Sequence, residues 1–245
     1  MGLTFGSLFA GIGGFDLGFE RAGLTCKWQV EIDEYANRVL ERHWPDVKRW
    51  KDVRQCSGAN VERTNIICGG FPCQDISFAG NGAGLQGERS GLWEEYRRIV
   101  SELLPSYVVV ENVSALLIRG FGTVLSDLAS LGYDAEWQSL RASDFGLPHR
   151  RERVFIVGYS NSIIRSERER MGIKSNGTPE VFRTNRRERP AVRISAYDSF
   201  VGMDDGLPRK LYGLRAERIG NAIVPHIAEW IGGLILTHFG GSEYA

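Results

Sequence analysis

Short apolar runs and amphipathic segments alternate along the first 160 residues. Runs rich in β-branched and aromatic side chains predict strands, and apolar residues at helical spacing between them predict helices. The predicted strands are residues 4–9, 26–31, 65–68, 106–110, 135–140 and 153–159. The predicted helices are residues 15–22, 34–43, 92–104 and 121–131, the second of them capped by Asp33. This alternation indicates an α/β fold with helices on both faces of a mostly parallel sheet.

The pattern changes after residue 160. Residues 161–205 are polar, arginine-rich and only weakly periodic, whereas apolar residues at helical spacing return at 222–238. We therefore expect three parts: a sheet domain at 1–160, an irregular segment at 161–205, and a C-terminal segment at 206–245 whose helix returns to the sheet domain.

The composition is that of a globular protein, and the cysteine content indicates in which cellular compartment the protein is found. The 245 residues are 42% hydrophobic and 24% charged, which suffices for one sizeable core. The four cysteines have no metal-binding spacing, which favours a reduced, cytoplasmic protein without a metal centre. The N-terminus lacks a basic region before its apolar run, and no apolar stretch approaches the ~20 residues of a membrane span.

The formal net charge is zero, but the charge is unevenly distributed. Residues 150–193 contain 12 arginines and lysines against five acidic residues, so this window carries +7. A basic segment on an acidic body suggests a polyanionic partner. A solvated charged loop would have the same composition, and charge alone leaves both interpretations open.

A glycine-rich loop follows the first predicted strand at residues 9–14. Glycines there allow close approach of a ligand at a helix N-terminus. A dinucleotide site would require glycine or alanine three residues after Gly13, where this chain has Asp16. Glu31 is placed to bind ribose hydroxyls, and Asp52 could accept a hydrogen bond from an adenine amino group. The glycine loop and the two carboxylates together suit a ligand that contains adenosine but no pyrophosphate. The alternative is a glycine turn beside two solvent-exposed acidic residues that bind no ligand.

The stretch GGFPCQD at residues 69–75 carries a candidate nucleophile, Cys73. We expect residues 69–70 to form a turn after the predicted strand, and Pro72 to stiffen the loop that follows. A cysteine thiolate is a strong nucleophile when a nearby cation or backbone donors lower its pKa. The alternative is a small residue in a tight bend. Cys68, inside the predicted strand, is expected to be a buried structural residue.

Two further sequence elements could place polar and charged side chains close to Cys73. Glu111 and Asn112 follow the strand at 106–110, so the Glu111 carboxylate should lie on the same edge of the sheet as Cys73, and Asn112 could hold the loop through backbone hydrogen bonds. Arg151 and Arg153 are alternate residues of an extended segment and can face the same way. Two guanidinium groups there would bind a carbonyl oxygen and a phosphate.

Taken together, these motifs resemble the DNA cytosine C5-methyltransferase family, in the family's own order. The resemblance covers about residues 1–160 and 218–238, and the run at 205–221 resembles shortened phage and prophage members. The matching motifs are F-A-G-I-G-G (9–14), E-I-D (31–33), D-V (52–53), G-G-F-P-C-Q (69–74), E-R-S-G-L-W (88–93), E-N-V (111–113), R-x-R (151–153) and G-N-A-I-V-P (220–225).

The resemblance implies a Rossmann-like fold of S-adenosylmethionine-dependent methyltransferases and a covalent mechanism. Cys73 would add to C6 of a flipped-out cytosine, and Glu111 would bind or protonate N3. Arg153 would hold the cytosine O2, with Arg151 contacting the DNA backbone or supporting the loop. The implied role of residues 161–205 is target recognition.

The resemblance also implies the ligands. The cofactor is S-adenosylmethionine and the substrate is double-stranded DNA, bound by a monomer without a metal ion. The cofactor contacts would be Phe9, Ala10, Gly11, Ile12, Gly13, Gly14, Glu31, Ile32, Asp52, Val53, Pro72, Leu92 and Asn221. The DNA contacts would be Gln74, Ser77, Arg186, Arg187, Arg189, Arg209 and Lys210.

The chain departs from the family pattern at three points. Ile32 stands where an aromatic residue often stacks on the adenine, His149 stands where glutamine is common, and the recognition segment has only about 45 residues. Three alternatives therefore stay open beside the DNA enzyme. They are a tRNA-directed cytosine C5-methyltransferase, a non-catalytic DNA-binding relative, and an NAD-dependent oxidoreductase supported by the glycine loop alone.

Overall fold

The structure is a computed structural model that describes residues 2–72, 91–163 and 222–240. Its strands are β1 (Thr4–Leu8), β2 (Thr25–Val30), β3 (Lys48–Trp50), β4 (Ile66–Gly70), β5 (Tyr107–Val113), β6 (Tyr133–Arg141) and β7 (Glu152–Ser160). Its helices are α1 (Gly14–Arg21), α2 (Glu34–His43), α3 (Gly91–Leu103), α4 (Leu116–Arg119), α5 (Phe121–Ser130) and α6 (Pro225–Gly240), with short 3-10 helices at Val53–Gln55 and Ala142–Phe145.

Within the described residues the strands form one seven-stranded sheet in the order β3-β2-β1-β4-β5-β7-β6. The pairs from β3 to β5 are parallel, and β7 runs antiparallel to both β5 and β6. The predicted α/β class with a mostly parallel sheet is therefore confirmed. Because β7 is reversed, its first residues lie at the edge where the parallel strands end, and Arg153 pairs with Val113 in register.

Two hydrophobic clusters cover the two faces of the sheet. On one face Phe15 and Phe19 of α1 pack with Ile227 and Ile231 of α6. On the other face Trp93 and other side chains of α3 pack with α5. Both clusters are built from side chains that are almost wholly excluded from water, which is the dominant stabilising contribution in a domain of this size. None of the described helices combines the length and the apolar composition that a membrane span requires.

The predicted elements occur within a few residues of their expected bounds, and the Asp33 cap is present. Its carboxylate accepts a hydrogen bond from the Ala36 backbone N–H at 2.8 Å. The predicted turn at residues 69–70 is wrong, because both glycines belong to β4. They are needed there for close approach: a Cβ on Gly69 would lie 2.3 Å from the Leu8 carbonyl oxygen, and one on Gly70 would lie 2.6 Å from a Glu111 carboxylate oxygen.

Small residues bring α6 onto α1, the helix that follows the glycine loop. A Cβ on Gly18 would lie 2.4 Å from the Pro225 carbonyl oxygen, and one on Gly14 would lie 2.3 Å from the Ile223 carbonyl oxygen. Across the same interface a Cβ on Gly232 would lie 2.9 Å from that of Ala22. The backbones of α1 and of the segment leading into α6 are therefore in direct contact, and side chains larger than hydrogen at these positions would separate them.

We expect Gly18→Ala to destabilise the protein by about 1–3 kcal/mol, because the added methyl group meets backbone atoms of α6 that cannot rotate away. The free energy of unfolding, measured in urea, tests this. Gly233→Ala is the matched control. Its added methyl group meets open space, and the higher helix propensity of alanine should stabilise α6 by about 0.5–1 kcal/mol. Equal stability of the Gly18→Ala variant and the original chain would contradict the tight contact between α1 and α6.

Candidate active site

A pocket of about 380 Å³ opens at the edge of the sheet where the parallel strands end. This is the place where open α/β sheets bind their ligands. The pocket is large enough for a small organic molecule, and acidic, basic and apolar side chains meet in it. Its lining residues are Phe9, Val30, Glu31, Ile32, Lys51, Asp52, Val53, Arg54, Gly70, Phe71, Pro72, Leu92, Glu111, Asn112, Val113, Arg151 and Arg153.

Glu111 is the buried acid of this pocket. It lies near the end of β5, opposite Gly70 of β4, and only 8% of it is exposed. The carboxylate fills the space that a side chain at Gly70 would otherwise occupy. Its Oε1 atom lies 3.1 Å from Nε of Arg153, which approaches from the start of β7. Three neighbouring strands thus fix one ion pair at the floor of the pocket.

The environment of Glu111 changes its acidity. Burial raises the pKa of Glu111 from 4.5 to about 7, although the positive charges of Arg153 and Arg151 oppose this shift. Burial and the charge of Arg153 together lower the pKa of Arg151. A carboxyl group with a pKa of about 7 is present both as acid and as base at neutral pH. It can therefore give a proton to a bound substrate and take one back.

Asn112 ties β5 to the segment that leads towards Cys73. Its side-chain amide donates a hydrogen bond to the Phe71 carbonyl oxygen at 3.0 Å, and its Oδ1 atom accepts one from the Val113 N–H at 2.9 Å. The ring of Phe71 packs against Trp93 of α3, with 5.3 Å between the ring centroids. The backbone hydrogen bond predicted for Asn112 is present, so the chain is held on both sides immediately before Pro72.

Glu31 organises the other end of the pocket. Its two carboxylate oxygens accept hydrogen bonds from the backbone N–H groups of Gly11 and Asp33, each at 2.7 Å. Gly11 and Gly13 have φ values of 57° and 88°, which glycine adopts without strain. The carboxylate therefore holds the glycine loop in place, and a carboxylate oxygen can accept more than one donor.

The remaining side chains give this end of the pocket a mixed character. Asp52 caps the 3-10 helix Val53–Gln55 by accepting a hydrogen bond from the Arg54 N–H at 2.9 Å. Ile32 is 73% exposed and offers an apolar surface at the pocket entrance. Lys51 and Arg54 also line the pocket, and sequence reasoning missed both. The sequence signal that could have identified them is their position directly before and after the Asp52-Val53 motif.

Of the fifteen predicted site residues that the structure describes, ten line the same pocket. Phe9, Glu31, Ile32, Asp52, Val53, Pro72 and Leu92 share one pocket with Glu111, Arg151 and Arg153. The predicted cofactor contacts Ala10, Gly11, Ile12, Gly13 and Gly14 are not among its lining residues in the described part of the chain, although the Gly11 N–H donates a hydrogen bond to Glu31, which does line it. The predicted site residues outside the described ranges are Cys73, Gln74, Ser77, Arg186, Arg187, Arg189, Arg209, Lys210 and Asn221.

Comparison with known proteins identifies the family. The sequence model of the C-5 cytosine-specific DNA methylases matches residues 3–197, which is most of the chain. The chain belongs to this family. Membership removes the NAD-dependent oxidoreductase as an interpretation of the glycine loop, in agreement with Asp16 at the position where a dinucleotide site needs a small residue.

Individual family members and solved structures support the same assignment. The Type II methyltransferase M.NgoBI of Neisseria gonorrhoeae is 38% identical over 160 residues, which are 64% of this chain and 50% of that protein. The chain thus spans about half the length of this relative. A proposed DNA modification methyltransferase encoded within an E. coli prophage is 28% identical with a TM-score of 0.56, covering 66% of this chain and 47% of that one.

A third likeness concerns the fold alone. The methyltransferase EhMeth of Entamoeba histolytica is only 16% identical, but it matches with a TM-score of 0.67 over 98% of this chain and 99% of its own. The predicted Rossmann-like methyltransferase fold is therefore confirmed.

The other cysteines of this family member are structural. Cys26, Cys56 and Cys68 are all buried, and burial raises the pKa of each thiol. The thiol of Cys68 donates a weak hydrogen bond to the Gly6 carbonyl oxygen at 3.6 Å, so its predicted structural role is confirmed. In residues 2–72, 91–163 and 222–240, no cluster of histidine, cysteine, aspartate and glutamate could hold a metal ion.

Burial of Glu111 should make stability depend on pH. The folded state keeps a proton that the unfolded chain releases near pH 4.5, so this stabilisation is complete below pH 4.5 and is lost as the pH rises through 7. Between pH 5 and 8 we expect the unfolding free energy of the original chain to fall by about 3 kcal/mol relative to Glu111→Gln. Urea unfolding across this range measures the difference.

The control for this prediction is Glu94→Gln, which changes an exposed carboxylate on α3. Its stability should follow the pH profile of the original chain. Parallel pH profiles for the original chain and Glu111→Gln would show that Glu111 has an ordinary pKa in the folded protein.

Proposed function

We propose that this chain is a DNA cytosine C5-methyltransferase that uses S-adenosylmethionine as methyl donor and Cys73 as covalent nucleophile. The observation that carries the proposal is the Glu111–Arg153 ion pair in the pocket beside Pro72. Cytosine presents N3 and O2 as neighbouring acceptors on one edge. A carboxyl group and a guanidinium group 3.1 Å apart can meet these two atoms together.

The described residues fit the adenosine part of the cofactor. Glu31 can accept ribose hydroxyls in addition to its two backbone donors, and Asp52 can accept an adenine amino group. Phe9, Ile32 and Leu92 supply apolar walls for the base. Ile32 gives contact area without aromatic stacking. When bound, S-adenosylmethionine supplies an electrophilic methyl group.

The protein residues activate the cytosine in steps that balance in atoms and electrons. The Cys73 thiolate adds to C6 while Glu111 protonates N3, which makes C5 an enamine carbon. The bound cofactor would supply the methyl group that C5 accepts and would be left as a neutral thioether. Water takes the C5 proton and Glu111 takes back the N3 proton, so that the C6–S bond breaks and the Cys73 thiolate is regenerated. Arg153 holds O2 throughout and orients Glu111 through their ion pair.

We further propose that residues 161–205 form a short target-recognition segment on a catalytic domain at 1–160, and that residues 206–245 return to that domain. The basic segment at 150–193 would contact DNA phosphates, which provide affinity without sequence information. Because the target base must leave the duplex to reach a pocket, the enzyme would act by base flipping. The setting would be the cytoplasm of a bacterial or phage-infected cell, where the chain acts in a restriction-modification or phage-protective role.

The decisive experiment is bisulfite sequencing of DNA from a methylation-free host that expresses the chain. Protected cytosines in one sequence context are the expected result, and the same assay reports the recognition sequence. An in vitro arm compares duplex DNA with tRNA as methyl acceptors. Transfer to tRNA alone would replace the DNA assignment with the tRNA-directed one. A chain that methylates neither acceptor and traps no adduct with 5-fluorocytosine DNA would be a non-catalytic relative.

We expect Cys73→Ser to abolish methyl transfer and to leave the affinity for S-adenosylmethionine within about twofold, because the thiolate acts only on the base. Glu111→Gln should slow the reaction by about 10²–10⁴-fold through loss of the acid. Single-turnover rates and calorimetric titration measure the two effects. Cys56→Ala, which changes a buried thiol, is the control and should keep normal activity. Normal turnover by Cys73→Ser would refute the covalent mechanism.

Replacing Arg186, Arg187 and Arg189 by glutamine should weaken DNA binding and reduce its dependence on salt. For every phosphate that the protein no longer neutralises, the slope of log affinity against log salt should decrease by about one. Fluorescence anisotropy with duplex DNA, at salt concentrations from about 50 to about 300 mM, measures this slope. An unchanged slope would identify the arginine-rich stretch as a solvated loop.

A further inference from the structure

Asp16 is a buried carboxylate that the proposed reaction does not use. It lies in the first turn of α1 and is fully excluded from solvent. Three side chains donate hydrogen bonds to it: Ser7 Oγ at 3.1 Å, Gln29 Nε2 at 2.8 Å and Cys26 Sγ at 3.5 Å. The carboxylate therefore connects α1 with both β1 and β2.

The hydrogen bonds continue beyond Gln29. Its Oε1 atom accepts a hydrogen bond from Arg49 Nε at 2.8 Å, and Arg49 Nη2 donates to the Trp44 carbonyl oxygen at 2.7 Å. Arg49 lies on β3, and Trp44 is the residue that ends α2. One polar chain thus runs from Asp16 across β2 and β3 to the end of α2.

The end of this hydrogen-bond network at Trp44 supports the glycine loop. The indole ring of Trp44 lies so close to Gly13 that a Cβ there would be 2.5 Å from it. Trp44 also packs with Ala10 and Leu40 in a small apolar cluster. Both ends of the polar chain therefore meet residues 9–14, since Asp16 follows the loop in α1 and Trp44 lies against it.

Strands β1 and β2, which carry Ser7 and Gln29 of this hydrogen-bond network, also lead directly to the pocket. Ser7 of β1 precedes Phe9 by two residues, and Gln29 of β2 precedes Glu31 by two residues, so both pocket residues directly follow these strands. Among the described residues that line the pocket, neither Asp16 nor Arg49 occurs, so any effect of these two residues on a ligand must pass through their neighbours.

We propose that Asp16 is a positioning residue for cofactor binding, which acts through Gln29 and Arg49 to hold the glycine loop and Glu31 in the geometry that binds S-adenosylmethionine. This inference rests on the proposed function. A buried charge is a weak source of stability, because well-packed apolar residues often replace it without loss. A fully hydrogen-bonded polar network does, however, hold its members in one arrangement.

The network should respond to pH through Asp16. Burial raises the pKa of Asp16 to about 6, and the hydrogen bonds from Gln29 and Ser7 limit this rise. Above pH 6 the carboxylate accepts from all its donors, whereas below pH 6 the added proton removes an acceptor position. The other titratable groups around it are the thiols of Cys26 and Cys68. Both thiols have raised pKa values and stay neutral over this range, so they do not contribute to the response.

Calorimetric titration of S-adenosylmethionine into the full-length chain tests the inference. Arg49→Met removes the hydrogen bonds to Gln29 and Trp44 at a partly exposed position and leaves Asp16 with its three side-chain donors. At pH 7.5 we expect its affinity to fall by roughly tenfold, the effect of losing one or two hydrogen bonds. We expect the affinity of the original chain to fall as the pH decreases from 7 to 5, and we expect Asp16→Asn to bind more weakly at pH 7.5 and to lack this pH-dependent loss.

Arg42→Met and Glu20→Gln, exposed positions on α2 and α1, are the matched controls and should bind as the original chain does. Thermal melting without cofactor establishes that each variant is folded. Unchanged affinity in both Arg49→Met and Asp16→Asn would overturn the positioning role. Failure of the original chain to bind S-adenosylmethionine would instead overturn the proposed function, and the inference with it.

Discussion

The contact between Glu111 and Arg153 depends on the direction of one strand. β7 runs antiparallel to β5, so the start of β7 and the end of β5 lie at the same edge of the sheet. Parallel pairing would place Arg153 at the opposite edge, far from Glu111. The absence of a side chain at Gly70 then gives the carboxylate room at the floor of the pocket. Sheet direction and one glycine together create a buried acid whose pKa lies near neutrality.

The two ends of the pocket follow different physical rules. At the Glu111 end, burial raises the pKa of a carboxyl group and guanidinium groups limit the rise, which suits proton transfer. At the Glu31 end, backbone N–H groups bind the carboxylate, which suits fixed recognition of hydroxyl groups. Asn112 keeps the chain near Pro72 in place between them.

The glycine loop is supported from several directions in the described residues. Glu31 binds it in front, Trp44 packs against it from α2, and α1 behind it is fixed by contact with α6. Such support is what a loop needs if its backbone is to be preorganised for a ligand. The contact between α1 and α6 also links the C-terminal helix to the Glu31 end of the pocket. This contact joins parts of the protein that are distant in sequence, because β7 ends at Ser160 and α6 begins at Pro225.

The sequence by itself determined the class of fold, the main strands and helices, and the chemical groups of the site, since hydrophobic periodicity and residue type are local properties. It predicted Glu31, Asp52, Glu111 and the two arginines as site residues, and these line one pocket; it also predicted the backbone hydrogen bond of Asn112. It did not find the short strand β3, the contributions of Lys51 and Arg54, or the true place of the glycines in β4. Those features depend on contacts between residues far apart in the chain. The tertiary structure alone decided the direction of β7, the pairing of Arg153 with Glu111 and the burial of Asp16, because strand direction and dielectric environment arise only when the sheet is assembled.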